Sequence, residues 1–399
     1  MSFSSVYKSR AGRFLTAQTI SLFGSSLVQY AIVWHITLST SSGWMLTLST
    51  LCGFLPQIMI SLFAGDWLDR RDRKKTIMLA DGVIALTTLV LAILFITGRG
   101  DVWLLFGALA IRSAGTGVQT PAVNALLPQL VPPQHLMRVN GIHSTLSSLT
   151  MFLSPAVSGA ILSAASLETT LLIDVITAVI GISITATIRV DSAPVPRSTE
   201  GSMLSRIGAG AAYLRRDRSL QRLLIYQICV LFLISPSAFL TPLMVSRTFG
   251  PEVWRLTAGE MTYSLGMVCG GVLITAWGGF RSRSRTTLLA GAAYGALMIG
   301  LGEAPFFVAY LICNTLIGVT SPCYNTPITV SIQERVDPAF HGRIFSLMQI
   351  STSCALPLGM TVFGPLADRV PVQLLMVLCG CAVLLLSAAG LLFRAPEKS

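Results

Sequence analysis

Gly65-Asp66-Trp67-Leu68-Asp69-Arg70-Arg71-Asp72-Arg73-Lys74-Lys75 is a compact run of charge set between two long apolar stretches. Little else in the chain is so dense in charge: 53% of the 399 residues are hydrophobic and only 11% are charged. A charged knot this short must connect two membrane spans. Working outward from it, the mean hydropathy of +0.71 lies far above that of a soluble domain. A helix needs about 20 apolar residues to cross a bilayer, and its backbone must satisfy its own hydrogen bonds there. Twelve segments qualify, roughly 14–38, 44–65, 76–97, 102–123, 141–165, 168–188, 221–246, 258–278, 286–303, 305–330, 343–366 and 372–393. The expected fold class is an all-α membrane protein of twelve transmembrane helices, with no room for a sizeable soluble domain. The first span is too long for a signal-peptide apolar region and lacks a small-residue cleavage site, so it is expected to stay on the mature chain.

A net charge of +11 raises the question of nucleic acid, and the distribution of the charge answers it. With the N-terminus placed in the cytoplasm, only Arg99, Arg247, Arg255 and Arg369 fall on the far side. Arg112 lies inside a span, and the rest of the 28 Lys and Arg fall on the cytoplasmic side. This is the positive-inside pattern. It puts both termini inside, reads as a topology and anionic-lipid signal, and excludes nucleic acid as the expected partner. The eight cysteines all fall in predicted spans as small packing residues, and Cys379-x-Cys381 lacks metal-ligand spacing and partners. No metal and no cofactor is expected.

The one long polar segment divides the chain into an N-terminal six-helix bundle (1–190), a cytoplasmic linker (191–220) and a C-terminal six-helix bundle (221–399). The linker opens with Pro194 and Pro196 and turns amphipathic and basic from about Leu204, as a helix lying on the inner membrane surface would. The halves read as two pseudo-repeats. Thr120-Pro121, Val131-Pro132 and His135 recur as Thr326-Pro327, Asp337-Pro338 and His341, each set expected to leave the fourth span of its half for a cytoplasmic loop. Parallel six-span repeats with a substrate site at their interface are a known transporter plan.

Gly65-x-x-x-Asp69-Arg70-x-x-Arg73-Lys74 resembles the loop between spans two and three of the major facilitator superfamily. The resemblance implies that Gly65, Asp69, Arg70, Arg73 and Lys74 form a gate that latches the halves in the outward-facing state. Plain topogenic charge is the alternative. Family members usually carry Gly where this chain has Asp72, so the turn chemistry differs. Arg112 sits about 15 Å into the fourth span, where an unpaired charge costs at least about 2.5–3.5 kcal/mol. It needs a cavity or a partner. The resemblance ties a fourth-span arginine to proton coupling; a structural charge pair is the alternative. A proton carrier also needs a carboxyl tuned by burial and by a cation. Asp174, Glu260 and Asp81 are the candidates, Asp81 reading more readily as a salt bridge to the basic loop beside it. Ser154-Pro155-Ala156-Val157-Ser158-Gly159 resembles the antiporter motif of the family through Pro155 and Gly159; a small-residue helix interface is the alternative.

Gln29, His35, Phe54, Asn124, Phe152, Phe232, Phe239, Tyr263, Asn314, Tyr324, Asn325 and Gln349 are candidate lining of an aromatic, sparsely polar cavity suited to a large apolar ligand. Ordinary interhelical packing is the competing reading for each. Across nearly its whole length the chain resembles the macrolide-efflux branch of the superfamily. The carriers are Gly53-Phe54-Leu55-Pro56, Asp69 to Lys75, Ile111 to Thr116, Thr120 to Ala125, Ile173-Asp174-Val175, Gly342 to Leu347 and Ala367-Asp368-Arg369. The resemblance implies a monomeric bacterial inner-membrane antiporter that exports a small amphipathic substrate in exchange for protons. Export of a siderophore or another metabolite, and facilitated or sodium-coupled transport, stay open. No Gly-x-x-x-x-Gly-Lys-Ser/Thr, His-x-x-x-His or Gly-x-Ser-x-Gly occurs, which argues against ATP-driven pumping and intramembrane enzymology.

Overall fold

The computed structural model describes residues 3–68, 71–190, 217–337 and 340–392, and among them every regular element is helical. The helices are α1 (Phe3–Thr40), α2 (Gly43–Leu68), α3 (Arg73–Ile96), α4 (Val102–Leu130), α5 (Pro133–Ala164), α6 (Leu167–Ala186), α7 (Arg218–Leu233), α8 (Thr241–Thr248), α9 (Val253–Trp277), α10 (Arg283–Gly302), α11 (Phe307–Arg335), α12 (His341–Leu366) and α13 (Val372–Leu392). They fall into two compact units, Met1–Ser39 with Leu48–Thr199, and Thr40–Thr47 with Glu200–Ser399.

By length and apolarity nine segments among the described residues qualify as membrane spans, where the sequence predicts twelve. The shortfall lies in α4, α9 and α10. They are long enough at 29, 25 and 20 residues, but polar residues dilute them, including Arg112 in α4 and Glu260 in α9.

Two boundaries differ from expectation. Thr120-Pro121 does not leave the fourth helix. Pro121 and Pro128 lie inside α4, which runs on to Leu130. Pro322 and Pro327 likewise lie inside α11, which has the same length of 29 residues. Proline is tolerated inside membrane helices because neighbouring groups re-satisfy the freed backbone. The expected span 221–246 stays a single candidate span, Leu220–Thr248, but its helix is interrupted by a π turn. Pro236 lacks an N–H, and a π-helical turn at Pro236–Leu240 separates α7 from α8. The hydroxyls of Ser235 and Ser237 take up carbonyls there, donating to Phe232 O at 2.8 Å and Ile234 O at 2.8 Å.

Within the first unit α3 packs on α4 and α6; within the second α10 packs on α11 and α13. Small residues set the closest approaches. A Cβ at Gly117 would meet the Gln57 carbonyl of α2 at 2.8 Å. Cβ atoms at Gly266, Gly270 and Gly318 would run into the backbone of the facing helix across the α9–α11 seam. Such seams replace the hydrophobic driving force that lipid does not provide.

Of the charged loop, Asp69 and Arg70 lie outside the described residues, and Gly65 falls in the last turns of α2. Its second half stabilises helix ends within the first unit. Asp72 is the N-cap of α3, accepting from Lys75 N at 3.2 Å. Lys74 Nζ donates to Ala186 O and Ile188 O at 2.7 Å each, just past the end of α6, where a cation complements the helix dipole. Arg73 donates to Ala125 O at 3.0 Å. The predicted linker helix from Leu204 and Pro338 of the second motif lie outside the described residues.

Candidate functional site

Among the described residues, each unit holds a candidate carboxyl site within its helices. In the first, Arg112 of α4 reaches Asp174 of α6, and both side chains are buried, at 6% and 0% exposure. Arg112 Nη1 bonds the Asp174 carboxylate and the Thr88 hydroxyl of α3. Its Nη2 donates to the Ser25 carbonyl of α1 at 3.2 Å. Asp174 also accepts from Thr88 Oγ1 at 3.0 Å and Ser25 Oγ at 3.2 Å. Four helices therefore meet on one charge pair. Of the two acids weighed as partners for Arg112, Asp174 holds the place.

Asp81 of α3 is buried and accepts from the Gln119 side-chain amide of α4. It makes no salt bridge to the basic loop among the described residues, contrary to the sequence expectation. Its place in the helix turns it inward toward α4, away from the loop.

The Pro155 motif packs α5 on α1. Ser154, Pro155, Ser158 and Gly159 are all buried. Ser158 Oγ donates to Leu27 O at 3.0 Å and Ser154 Oγ to Thr150 O at 2.7 Å. Serines standing where the motif has glycines thus satisfy their hydroxyls on backbone carbonyls.

In the second unit Glu260 of α9 faces a cavity of about 250 Å³. Its walls include Tyr263 of the same helix, Tyr294 of α10, Tyr310 and Asn314 of α11, and Ser237 of the π turn. Glu260 has no salt bridge and no hydrogen bond among the described residues, and no Lys, Arg or His lines the cavity. Tyr294 OH and Ser237 Oγ share a hydrogen bond of 3.0 Å. Tyr310 is held by stacking on Phe307, with ring centroids 5.7 Å apart and planes at 12°. Asn314 donates to the carbonyl of Gly259, the residue before Glu260, at 2.7 Å.

The other predicted lining residues disperse. Tyr263, Asn314 and Asn325 line the Glu260 cavity. Tyr324 does not: it sits in the apolar core of the second unit, its ring 6.2 Å from that of Tyr226. Phe232 packs on Phe363, and Phe239 lies in the π turn. His35 packs edge-on against Phe95. Gln29 and Phe152 are half-buried, whereas Phe54, Asn124 and Gln349 are exposed. Sequence reasoning missed Thr88 and Ser25 around Asp174, and Tyr294, Tyr310 and Ser237 around Glu260. One signal was available: Tyr310 and Asn314 are spaced i, i+4, on one helix face.

Comparison with known proteins identifies the setting. Residues 14–353 match the Major Facilitator Superfamily. The chain is 31% identical over 374 residues to macrolide efflux protein A of Streptococcus pyogenes, covering 92% of this chain and 91% of that protein. It is 32% identical over 331 residues to macrolide efflux protein A of Enterococcus faecalis, covering 80% and 99%. Its fold matches the crystal structure of a bacterial homologue of the iron transporter ferroportin in an inward-facing state, with a TM-score of 0.70, 16% identity and 98% and 99% coverage. With a family model matching residues 14–353 and relatives above 30% identity over most of its length, the chain belongs to the major facilitator superfamily of multi-pass membrane transporters.

Proposed function

We propose that this protein exports an amphipathic, macrolide-like compound from the cytoplasm in exchange for protons, by alternating access. In this reading twelve helices, in two six-helix repeats, cross the bacterial cytoplasmic membrane with both termini inside, and the monomer is the working unit. Near-full-length similarity to two macrolide efflux proteins supports the substrate class. The observation that carries the coupling is the Arg112–Asp174 pair. A charged pair with almost no water access survives in a membrane helix bundle when it is functional or tightly partnered, and this one joins four helices that must move if the unit rocks. One proton moving down about 100 mV supplies roughly 2.3 kcal/mol, enough to hold a gradient of about fifty-fold for a neutral substrate; one-for-one exchange with a cationic substrate moves no net charge and draws on the pH gradient alone.

A second reading, export of a siderophore, is favoured by 20% identity over 359 residues to the staphyloferrin A transporter of Staphylococcus aureus. Retention of labelled erythromycin separates the readings, measured in cells lacking other drug pumps with and without a protonophore. Wild type should keep the drug out only while the proton gradient stands, and Asp174→Asn should not keep it out at all. Retention equal to that of empty cells rules out this drug. Exclusion that survives the protonophore rules out proton coupling and moves the reading to a facilitated or sodium-coupled carrier.

A further inference from the structure

The carboxyl groups of the two units differ in one respect that bears on the substrate. Asp174 has a permanent cation, Arg112, and two hydroxyl donors. Glu260 has none of these among the described residues, yet it lies within the bundle's helix α9 and faces a cavity. An intramembrane acid left without a protein partner marks the place where a partner arrives from outside.

The walls say what kind of partner fits. Tyr263, Tyr294 and Tyr310 bring three aromatic rings from three helices to the walls of the cavity that Glu260 faces. Tyrosine faces attract cations, most strongly where water is excluded. Among the described residues no basic side chain lines the cavity; Glu260 is its one ionisable carboxyl, set among the three tyrosines, apolar side chains and neutral polar residues that include Ser237, Asn314 and Asn325. Tyr310 and Tyr294 are braced by Phe307 and Ser237, so the box is built before a ligand enters. At about 250 Å³ the cavity is smaller than the pockets of about 300–1,000 Å³ that take whole drug-sized ligands, a size that suits a substituted ammonium group rather than a whole macrolide.

We propose that Glu260, with the rings of Tyr263, Tyr294 and Tyr310, is the recognition site for the protonated amine of the exported compound, a head-group pocket from which the lipophilic body projects. The substrate class is thereby an amphipathic organic cation. The inference rests on the export reading above and adds to it a division of labour: the second unit recognises charge, while the first carries the buried pair.

Calorimetric binding of two compounds to the full-length protein in lipid nanodiscs, at mildly alkaline pH, tests the proposal. One compound is erythromycin, which carries a tertiary amine; the other is its aglycone, which keeps the lactone ring and lacks the amino sugar. Wild type should prefer erythromycin. Glu260→Gln should weaken erythromycin by at least about tenfold, the size of a lost charge-assisted contact, and leave aglycone binding and thermal midpoint unchanged. Glu260→Asp should bind with intermediate strength, and Tyr310→Leu should weaken erythromycin selectively. Equal affinity of wild type for the two compounds overturns the proposal, as does no binding of either, or erythromycin binding by Glu260→Gln at wild-type strength. Proton release recorded on the same samples separates the two claims. Release by wild type with an indifferent Glu260→Gln leaves the exporter reading standing and removes this one. Glu260-dependent binding with no proton movement leaves the pocket standing and removes proton-coupled export.

Discussion

Replacing Arg112 by Met is the most informative perturbation of the first unit. The methionine removes the Arg112 bond to Asp174, the bond to Thr88 and the donation to Ser25 O at 3.2 Å. It leaves a carboxylate of 0% exposure with only the Thr88 and Ser25 hydroxyls, at 3.0 and 3.2 Å. Removing one member of a buried pair costs about 3–5 kcal/mol, because the survivor is an uncompensated charge, whereas replacing both members is often neutral or stabilising. Arg112→Met alone should therefore lose about 3 kcal/mol or more, and Asp174→Asn alone a comparable amount. The double variant Arg112→Met/Asp174→Asn should return to within about 1 kcal/mol of wild type, a coupling that double-mutant arithmetic reads directly. The assay is equilibrium unfolding of the four proteins in detergent, followed by helical circular dichroism. Additive losses, or an Arg112→Met protein as stable as wild type, refute the reasoning. Function should separate from folding: the double variant recovers stability and not drug-dependent proton movement.

Other outcomes follow from the same geometry. Asp368, in the turn after α12, accepts from Gly43 N at 2.6 Å, Trp44 N at 2.9 Å, Ser42 Oγ at 2.8 Å and Arg247 at 3.1 Å, capping the start of α2. Partial burial pushes its carboxyl up, but the hydrogen bonds from Trp44, Gly43, Ser42 and Arg247 outweigh this and hold it below the usual carboxylate value. Asp368→Ala should cost about 0.5–2 kcal/mol at neutral pH. Because the folded value is depressed, the gap between wild type and variant should be complete above about pH 4 and close as pH falls through the folded value; unfolding curves between pH 3 and pH 7 read it. Gly318→Ala places a methyl against the Tyr263 carbonyl across the α9–α11 seam and should cost about 1–3 kcal/mol. Gly271→Ala, with open space around it, should be neutral or slightly stabilising in the same melt. Asp72→Ala removes the α3 N-cap and should cost about 1 kcal/mol, with faster hydrogen exchange in the first turn of α3.

How much of this was legible depends on what each feature rests on. A charge in a span announces itself, so Arg112 and the need for a partner could be read directly. The choice of Asp174 over Glu260 could not, because it depends on how α4 and α6 are rotated, and Arg112 and Asp174 are 62 positions apart. Asp81 misled for the same reason: its nearness to the basic loop in sequence says nothing about the face it occupies. Asp72 was recognisable as a departure from the family loop, and the N-cap supplies its physical meaning. Tyr294 and Tyr310 gave little signal, since a tyrosine in a span is ordinary packing until three converge on one acid. Pro121 and Pro236 look alike in sequence. One stays in a continuous helix and the other opens a π turn, and at the second Ser235 and Ser237 stand ready to bond displaced carbonyls.

The central claim, exchange of a drug for protons, is tested most directly by a pH electrode. Purified protein at mildly alkaline pH in weak buffer receives erythromycin, beside Asp174→Asn, Glu260→Gln and Arg112→Ala. The account predicts saturable proton release from wild type that vanishes in at least one of the acid variants. Saturable drug binding by wild type with no proton released would contradict it.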